Sequence, residues 1–459
     1  MRSRRPALAL LALVGGIVVA IASQPSQAAT RTAQAHRADG KRVAATGALP
    51  RPQLFDIHHA AGEPTIGITR EGYVAITAGG GCVTSCAEVG EPTFFQTFAP
   101  GGRAVFITKN RGRTWENISP GVGDVSPHVT SLDPYLYVDR SAETARIYDI
   151  DLNAACNELS YTDDFGATWI TNPLSCGEPV NDHQTVFAGK PVTSPTVGYP
   201  KIIYYCFNKL AYTTCTKSLD GGITFTPTLG ANQIECSGLN GHGVTDSKGA
   251  IYIPYTGCGN APELAISKDE GNNWTTVKLP STIKGGDPSV AIDAKDNLYY
   301  LWDNADRLPM LSVSTNHGKT WSKPLNVAAP GVVATNLATL TVGAPGKVAI
   351  AYYGTTNLDK KHTFWNGYLA EGLDVLGKSP LFYSASVNDP KHALKSGDCG
   401  PGRCGRVLDF IDVEIAPDGT PWAAYVDACG TNCEKTHVET DNDSEGVVGA
   451  LFGGPNLRR

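Results

Sequence analysis

TDDFGATW, from Thr162 to Trp169, is one of five copies of a short pattern, Ser/Thr-x-Asp/Asn-x-Gly-x-Thr/Asn-aromatic. The others are TKNRGRTW (Thr108 to Trp115), SLDGGITF (Ser218 to Phe225), SKDEGNNW (Ser267 to Trp274) and STNHGKTW (Ser314 to Trp321). Their starts at 108, 162, 218, 267 and 314 step by 54, 56, 49 and 47 residues, a period at which repeats mean propeller blades or solenoid turns. The residue types define a hairpin turn. The Asp or Asn can accept backbone amides further round the turn, the Gly can take positive φ, and the Ser or Thr hydroxyl can close the start of the loop. The aromatic that follows starts the next strand with a large apolar side chain able to wedge between neighbouring sheets.

If each turn joins the third and fourth strands of a blade, a first strand should precede it. Alternating segments stand there: EPTIGI from Glu63, DPYLYV from Asp133, DHQTVFAG from Asp182, GHGVTD from Gly241 and DPSVAI from Asp287. NLATLTV from Asn336 and DFIDVEIA from Asp409 follow without a repeated turn, giving seven. The last repeat shows three strands, and RPQLFDI near the start of the chain can supply its fourth and close the ring. The expected fold is an all-β, disulfide-stapled β-propeller of seven four-stranded blades. Six is the alternative, since DKKHTFWNGYLAEGLDVL in the sixth repeat reads as an elaborated blade or an insertion.

The five turns resemble Asp-boxes, or bacterial neuraminidase repeats, of sialidases and many other secreted propellers. That resemblance covers Thr108 to Trp321 directly and implies that the boxes sit on peripheral turns away from substrate. It also implies a chemical outfit: three arginines gripping the substrate carboxylate, the first in Arg-Ile-Pro, a Tyr activated by Glu, and an Asp acid/base. The chain departs from that outfit. Its corresponding early strand reads Gly62-Glu63-Pro64-Thr65-Ile66, and Arg-Ile-Pro occurs nowhere. Of the arginines near inner strands, Arg70 and Arg140 fall at far ends and read as surface ion-pair partners, leaving Arg406 near a strand entrance. Tyr352 and Tyr353 read as packing. An exo-sialidase is therefore not expected.

Residues 1–28 have a basic start, a short apolar stretch from Ala7 to Ala22 and a small-residue site at Ser26-Gln27-Ala28, and read as a secretory signal peptide. Residues 29–50 lack apolar periodicity and read as a disordered lead-in, leaving 51–459 as one propeller domain. Fifty Gly and thirty Pro with 18% charged residues suit short strands joined by tight turns. A net charge of −6 with no basic stripe argues against nucleic acid or an anionic membrane, and no further run is long enough to span a bilayer. The expected state is a monomer.

Twelve cysteines in an exported chain read as six disulfides in chain order: Cys82 with Cys86, Cys156 with Cys176, Cys206 with Cys215, Cys236 with Cys258, Cys399 with Cys404, and Cys429 with Cys433. Cys206 and Cys215 are the best supported, lying on two strands of one hairpin. The competing zinc reading lacks any Cys-x-x-Cys.

Innermost propeller strands run along the axial channel, so residues at their entrances converge on its mouth. Glu63, Asp133 and Asp287 each precede a proline there, and Asp182, Asn240, Asn336 and Asp409 hold similar places. Two carboxylates ~8 Å apart at an effective dielectric near 20 repel by about 2 kcal/mol. Such a ring therefore holds protons, a cation such as calcium, or a basic ligand group, unless its acids simply face water. His183 and His242 stand at the same entrances as candidate acid/base groups or ligands. No cofactor is required.

Two functions fit. One is a non-catalytic secreted propeller binding extracellular glycan, peptide or cell-wall material at the mouth through Glu63, Asp182, His183, Asn240, His242, Asn336, Arg406 and Asp409. The other is a glycoside hydrolase with Asp133 and Asp287 as paired carboxylates, beside Trp302 or Trp422 as a sugar platform.

Overall fold

The computed structural model describes residues 31–78, 104–120, 132–141, 145–152, 157–174, 181–209, 212–227, 234–235, 240–257, 259–283, 286–359, 363–397, 399, 407, 409–430 and 444–459. Seven antiparallel sheets follow one another along the chain, each with four blade strands running outward from an inner one, and the sixth sheet carries two further short strands. The inner strands are Thr65–Ile68, Leu132–Asp139, Asp182–Gly189, Val244–Thr245, Ser289–Ile292, Ala334–Val342 and Asp412–Ile415, in blades 1 to 7. Each touches the next, and the seventh touches the first, closing the ring around an axis.

Seven hydrophobic clusters fill the seven interfaces between blades, so every sheet is buried on both faces. The strand Ile202–Lys209 shows how period-two geometry serves both. Ile203, Tyr205 and Phe207 point into the interface with blade 2, whereas Ile202, Tyr204 and Cys206 point into that with blade 4. A run that reads as continuously apolar is thus an ordinary blade strand.

The repeated turns join third and fourth strands in blades 1 to 5, as between Asn157–Thr162 and Ile170–Leu174. In that turn Thr162 Oγ1 donates to Asp164 Oδ1 (2.8 Å) and accepts from Gly166 N (2.9 Å), while Asp164 Oδ1 accepts from Thr168 N (2.8 Å). Gly166 has φ of 89° and the preceding Phe165 57°, two successive left-handed residues within the turn. The aromatic that follows packs on the preceding blade, with Trp169 Nε1 donating to Ile118 O at 2.7 Å.

The ring closes as expected: Arg51–Ala60 pairs with Glu445–Phe452 and makes the fourth strand of blade 7. Blade 6 is an elaborated blade: its third strand, Phe364–Leu373, also pairs with the short strand Lys395–Ser396. One expectation is corrected. Gln34–His36, within the supposed disordered lead-in, pairs with Leu381–Ser386 as a fifth strand of blade 6. That outer strand had free ladder groups, and short alternating Gln-Ala-His suffices to fill them.

Cys206 faces Cys215 in register and forms a disulfide with Cα atoms 4.1 Å apart. Cys399 and Cys429 are also disulfide-bonded. Cys82, Cys86, Cys156, Cys176, Cys236, Cys258, Cys404 and Cys433 lie outside the described residues, as do Arg406 and the signal-peptide residues 1–28. No helix of the described residues is long and apolar enough to cross a membrane.

Candidate functional site at the channel mouth

Antiparallel order puts the starts of all inner strands at one face and the repeated turns at the other. At the mouth face the inner strands of blades 2, 3 and 6 carry the same irregularity, a register shift between Leu132 and Tyr135, Asp182 and Thr185, and Asn336 and Thr339. Two residues oppose one on the second strand, which is a bulge. Its first residue has positive φ each time: Asp133 (50°), His183 (50°) and Leu337 (56°), with Glu63 (50°) in the matching place of blade 1. Non-glycine residues in that region are strained and persist where surroundings hold them.

Hydrogen bonds between blades do the holding. Glu63 Oε1 accepts Asp409 N of blade 7 (3.0 Å) and its Oε2 accepts Asp133 N of blade 2 (3.2 Å). Asp133 Oδ2 accepts His183 N of blade 3 (3.2 Å), and Asn240 Nδ2 of blade 4 donates to His183 O (2.9 Å). Glu63 and Asp133 are 2% and 7% exposed, so these acids do not face bulk water. They stitch neighbouring blades together.

His183 occupies the middle of the arrangement. Its Nδ1 donates to Asp287 Oδ2 at 2.6 Å, and its Nε2 lies 3.7 Å from Asp409 Oδ2 and 4.0 Å from Asp182 Oδ1. Burial pulls the imidazole down, but the Asp287 charge and hydrogen bond, with Asp409 and Asp182 adding to them, hold it well above its ordinary value. Burial raises Asp287 as well, against the pull of His183. With three carboxylates around it, the ring is held toward its protonated form. Asp133 is raised well above the ordinary carboxylate value by burial and then by the neighbouring Glu63.

His242 is the opposite case. Burial, then the His183 charge, lowers it to about 3, so it is a neutral ring. It packs edge-on against Tyr135 (4.4 Å between centroids) and Phe410 (5.5 Å). Asp287, Asp409, His242, Phe410 and Leu337 line a shallow pocket of about 20 Å³. Behind it, sharing His242, Ser289 and Thr339, lies a channel of about 160 Å³ walled by Ile66, Leu136, Val290 and Leu340. Asp412 lies in its wall, raised by burial to about 7. Glu414, also in the wall, binds Arg140 (2.9 Å) and Arg458 (3.4 Å).

The structure thus brings together Glu63, Asp133, Asp182, His183, Asn240, His242, Asp287 and Asp409. Asn336 is buried and its Oδ1 accepts Leu337 N (3.0 Å), so Leu337 rather than Asn336 faces the pocket. Trp302 and Trp422 are not platforms. They are 0% and 2% exposed, within the interfaces of blades 4 and 5 and of blades 7 and 1. Phe410 is the mouth aromatic, and no periodicity marks it out in DFIDVEIA.

Among the described residues, one group of donors is close enough to share a metal ion: Asp246, Asp296 and His317. It lies at the face opposite the mouth. Its carboxylates already accept Tyr252 OH (3.0 Å), Lys248 N, Ala250 N, Ser247 N and Ser247 Oγ, which accounts for the cluster as a seam between blades 4 and 5.

No known family model matches the chain, and no curated protein sequence matches it. Similar solved structures include a protein of unknown function from Dyadobacter fermentans (12% identity, 92% of this chain and 98% of that one, TM-score 0.44). Others are the intramolecular trans-sialidase of Ruminococcus gnavus (13%, 88% and 97%, TM-score 0.39) and the Aleuria aurantia lectin (12%, 70% and 94%, TM-score 0.44). Likeness at this level leaves function to be argued from the site.

Proposed function

We propose that this is a secreted, sialidase-like propeller that binds extracellular glycan or cell-wall material at the mouth of its axial channel without turning it over. The observation that carries this reading is how the carboxylates are committed. Asp133 is buried against Glu63 and the His183 amide, and Asp287 is hydrogen-bonded to the His183 ring. Hydrolysis by a carboxylate pair needs two carboxyls about 5 to 9.5 Å apart flanking one sugar bond, one of them free to give up a proton. Of the expected pair, Asp287 lines the pocket and Asp133 does not.

Secretion is supported by the Cys206–Cys215 bridge, which belongs to an oxidising compartment, and by the character of residues 1–28. Hydrolysis is the second reading, favoured by one observation: the Asp287 carboxyl, raised by burial, stands at the pocket wall next to a charged imidazole. A glycan array on the purified protein, read together with a sugar-release assay on every bound glycan, separates the two. Binding with no release is expected. Release abolished by Asp287→Asn would overturn the binder in favour of the hydrolase.

A further inference from the structure

Resting on that reading, we infer that the group seated in the mouth pocket is a primary ammonium, so the glycan is an amino sugar polymer whose nitrogen is not acylated. Asp287 carries the argument. Its side chain is 10% exposed, its Oδ2 is taken by His183, and its Oδ1 is buried without a hydrogen-bond partner while the residue lines the pocket. A carboxylate with one oxygen lacking a donor is costly to bury, and a ligand N–H at the exposed tenth of the Asp287 side chain offsets that cost.

Charge points the same way. Asp182, 40% exposed, stands 4.0 Å from His183 Nε2, and among the described residues His183 is the cation in ion-pair contact with Asp182 and Asp287. Among the described residues one imidazolium is set against both Asp182 and Asp287, a balance that repels a sugar carboxylate and attracts a cation.

Size and ligand chemistry choose between cations. About 20 Å³ holds one water-sized group, such as an ammonium, and not a pyranose ring. A metal ion would need lone pairs, but a protonated His183 has none to give, and the mouth acids do not converge on one ion position as Asp246, Asp296 and His317 do. The aromatic edge of the pocket, Phe410 beside His242, suits an organic cation and the apolar face of a sugar. An amine borne on a ring carbon projects by one bond, which matches a shallow pocket better than a lysine with its four-carbon stem.

The test compares glucosamine oligomers with fully N-acetylated oligomers of equal length by calorimetry at fixed salt. The proteins are wild type, Asp287→Asn, Asp182→Asn and a control, Glu116→Gln, on the opposite face. Thermal midpoints report folding, and the 40%-exposed Asp182 gives a variant that folds if Asp287→Asn does not. Losing one charge-assisted hydrogen bond corresponds to roughly tenfold or more in affinity. We expect the free-amine oligomer to bind about tenfold or more tighter than the acetylated one, with that margin lost in Asp287→Asn, reduced in Asp182→Asn and kept in Glu116→Gln. Equal binding of both oligomers would overturn the ammonium and leave glycan binding standing. Amine binding weakened equally by all three variants would mean attraction to net charge, and also overturns it. Failure of both oligomers alongside a positive array for other glycans overturns the ammonium alone, and a blank array overturns both readings.

Discussion

His183 is the residue on which the mouth turns, because its backbone N–H binds one acid and its ring another. Removing one member of a buried ion pair strands the other charge and costs about 3 to 5 kcal/mol, whereas removing both is far milder. His183→Gln should therefore destabilise by about 3 kcal/mol, and the double change His183→Gln with Asp287→Asn should recover most of that loss in urea unfolding. Additive losses would show that the 2.6 Å contact carries no coupling. Much of this site was legible in the chain, since Glu63, Asp133, Asp182, His183, Asp287 and Asp409 stand at the starts of recurring segments. What the letters could not give was orientation. The bulges turn acids expected to converge on the channel mouth into ties between blades, and Asn336 gives its place at the pocket to Leu337, because a one-residue slip moves a side chain to the other face.

At the scale of elements, the repeated turn teaches a further lesson through its fourth position, which varies freely as Arg111, Phe165, Gly221, Glu270 and His317. Each residue there reaches the preceding blade in its own way. Arg111 lies over Phe452 and near Asp418, Phe165 meets Tyr73 edge-on, Gly221 O accepts Tyr148 OH, and His317 lies 3.5 Å from Asp246. Glu270 is the strongest, its Oε1 accepting the amides of Val192, Thr193 and Ser194 and its Oε2 accepting Lys217 Nζ at 2.7 Å. A repeat pattern scores such a position as empty, so this layer was invisible in sequence although the turn itself was plain. Glu270→Ala should cost about 3 kcal/mol by orphaning a lysine and three amides, and Arg111→Ala, exposed, less than about 1 kcal/mol. Equal effects in thermal unfolding would show that the fourth position does not latch the blades.

The whole ring closes where the two ends of the chain meet, and a buried acid there ties its stability to pH. Seven blades could be counted from the sequence because repeats and a missing fourth strand agreed; the strand Gln34–His36 could not, since three residues carry no period of their own. Glu371 of blade 6 is 1% exposed, against Gly454 of the C-terminal segment, with Oε2 lacking a hydrogen-bond partner. Burial raises it to about 9. The unfolded chain gives up this proton near 4.5 and the folded one near 9, so the group's contribution is complete below 4.5 and declines through that window by about 1.4 kcal/mol per pH unit. Asp412, raised to about 7, and His183, raised well above 6.5, act in the same direction. Glu270 and Asp139 act oppositely: hydrogen bonds and lysines hold them below the carboxylate range, so their support is lost as pH falls. Stability should therefore peak in mild acid and decline toward pH 9. Glu371→Gln keeps the shape of the neutral acid and removes its proton equilibrium, so its thermal midpoint should match wild type at pH 5 and exceed it at pH 8. Parallel curves for the two proteins from pH 5 to 9 would mean that Glu371 is already ionised in the folded ring, and that the chain ends are held together by something other than a buried neutral acid.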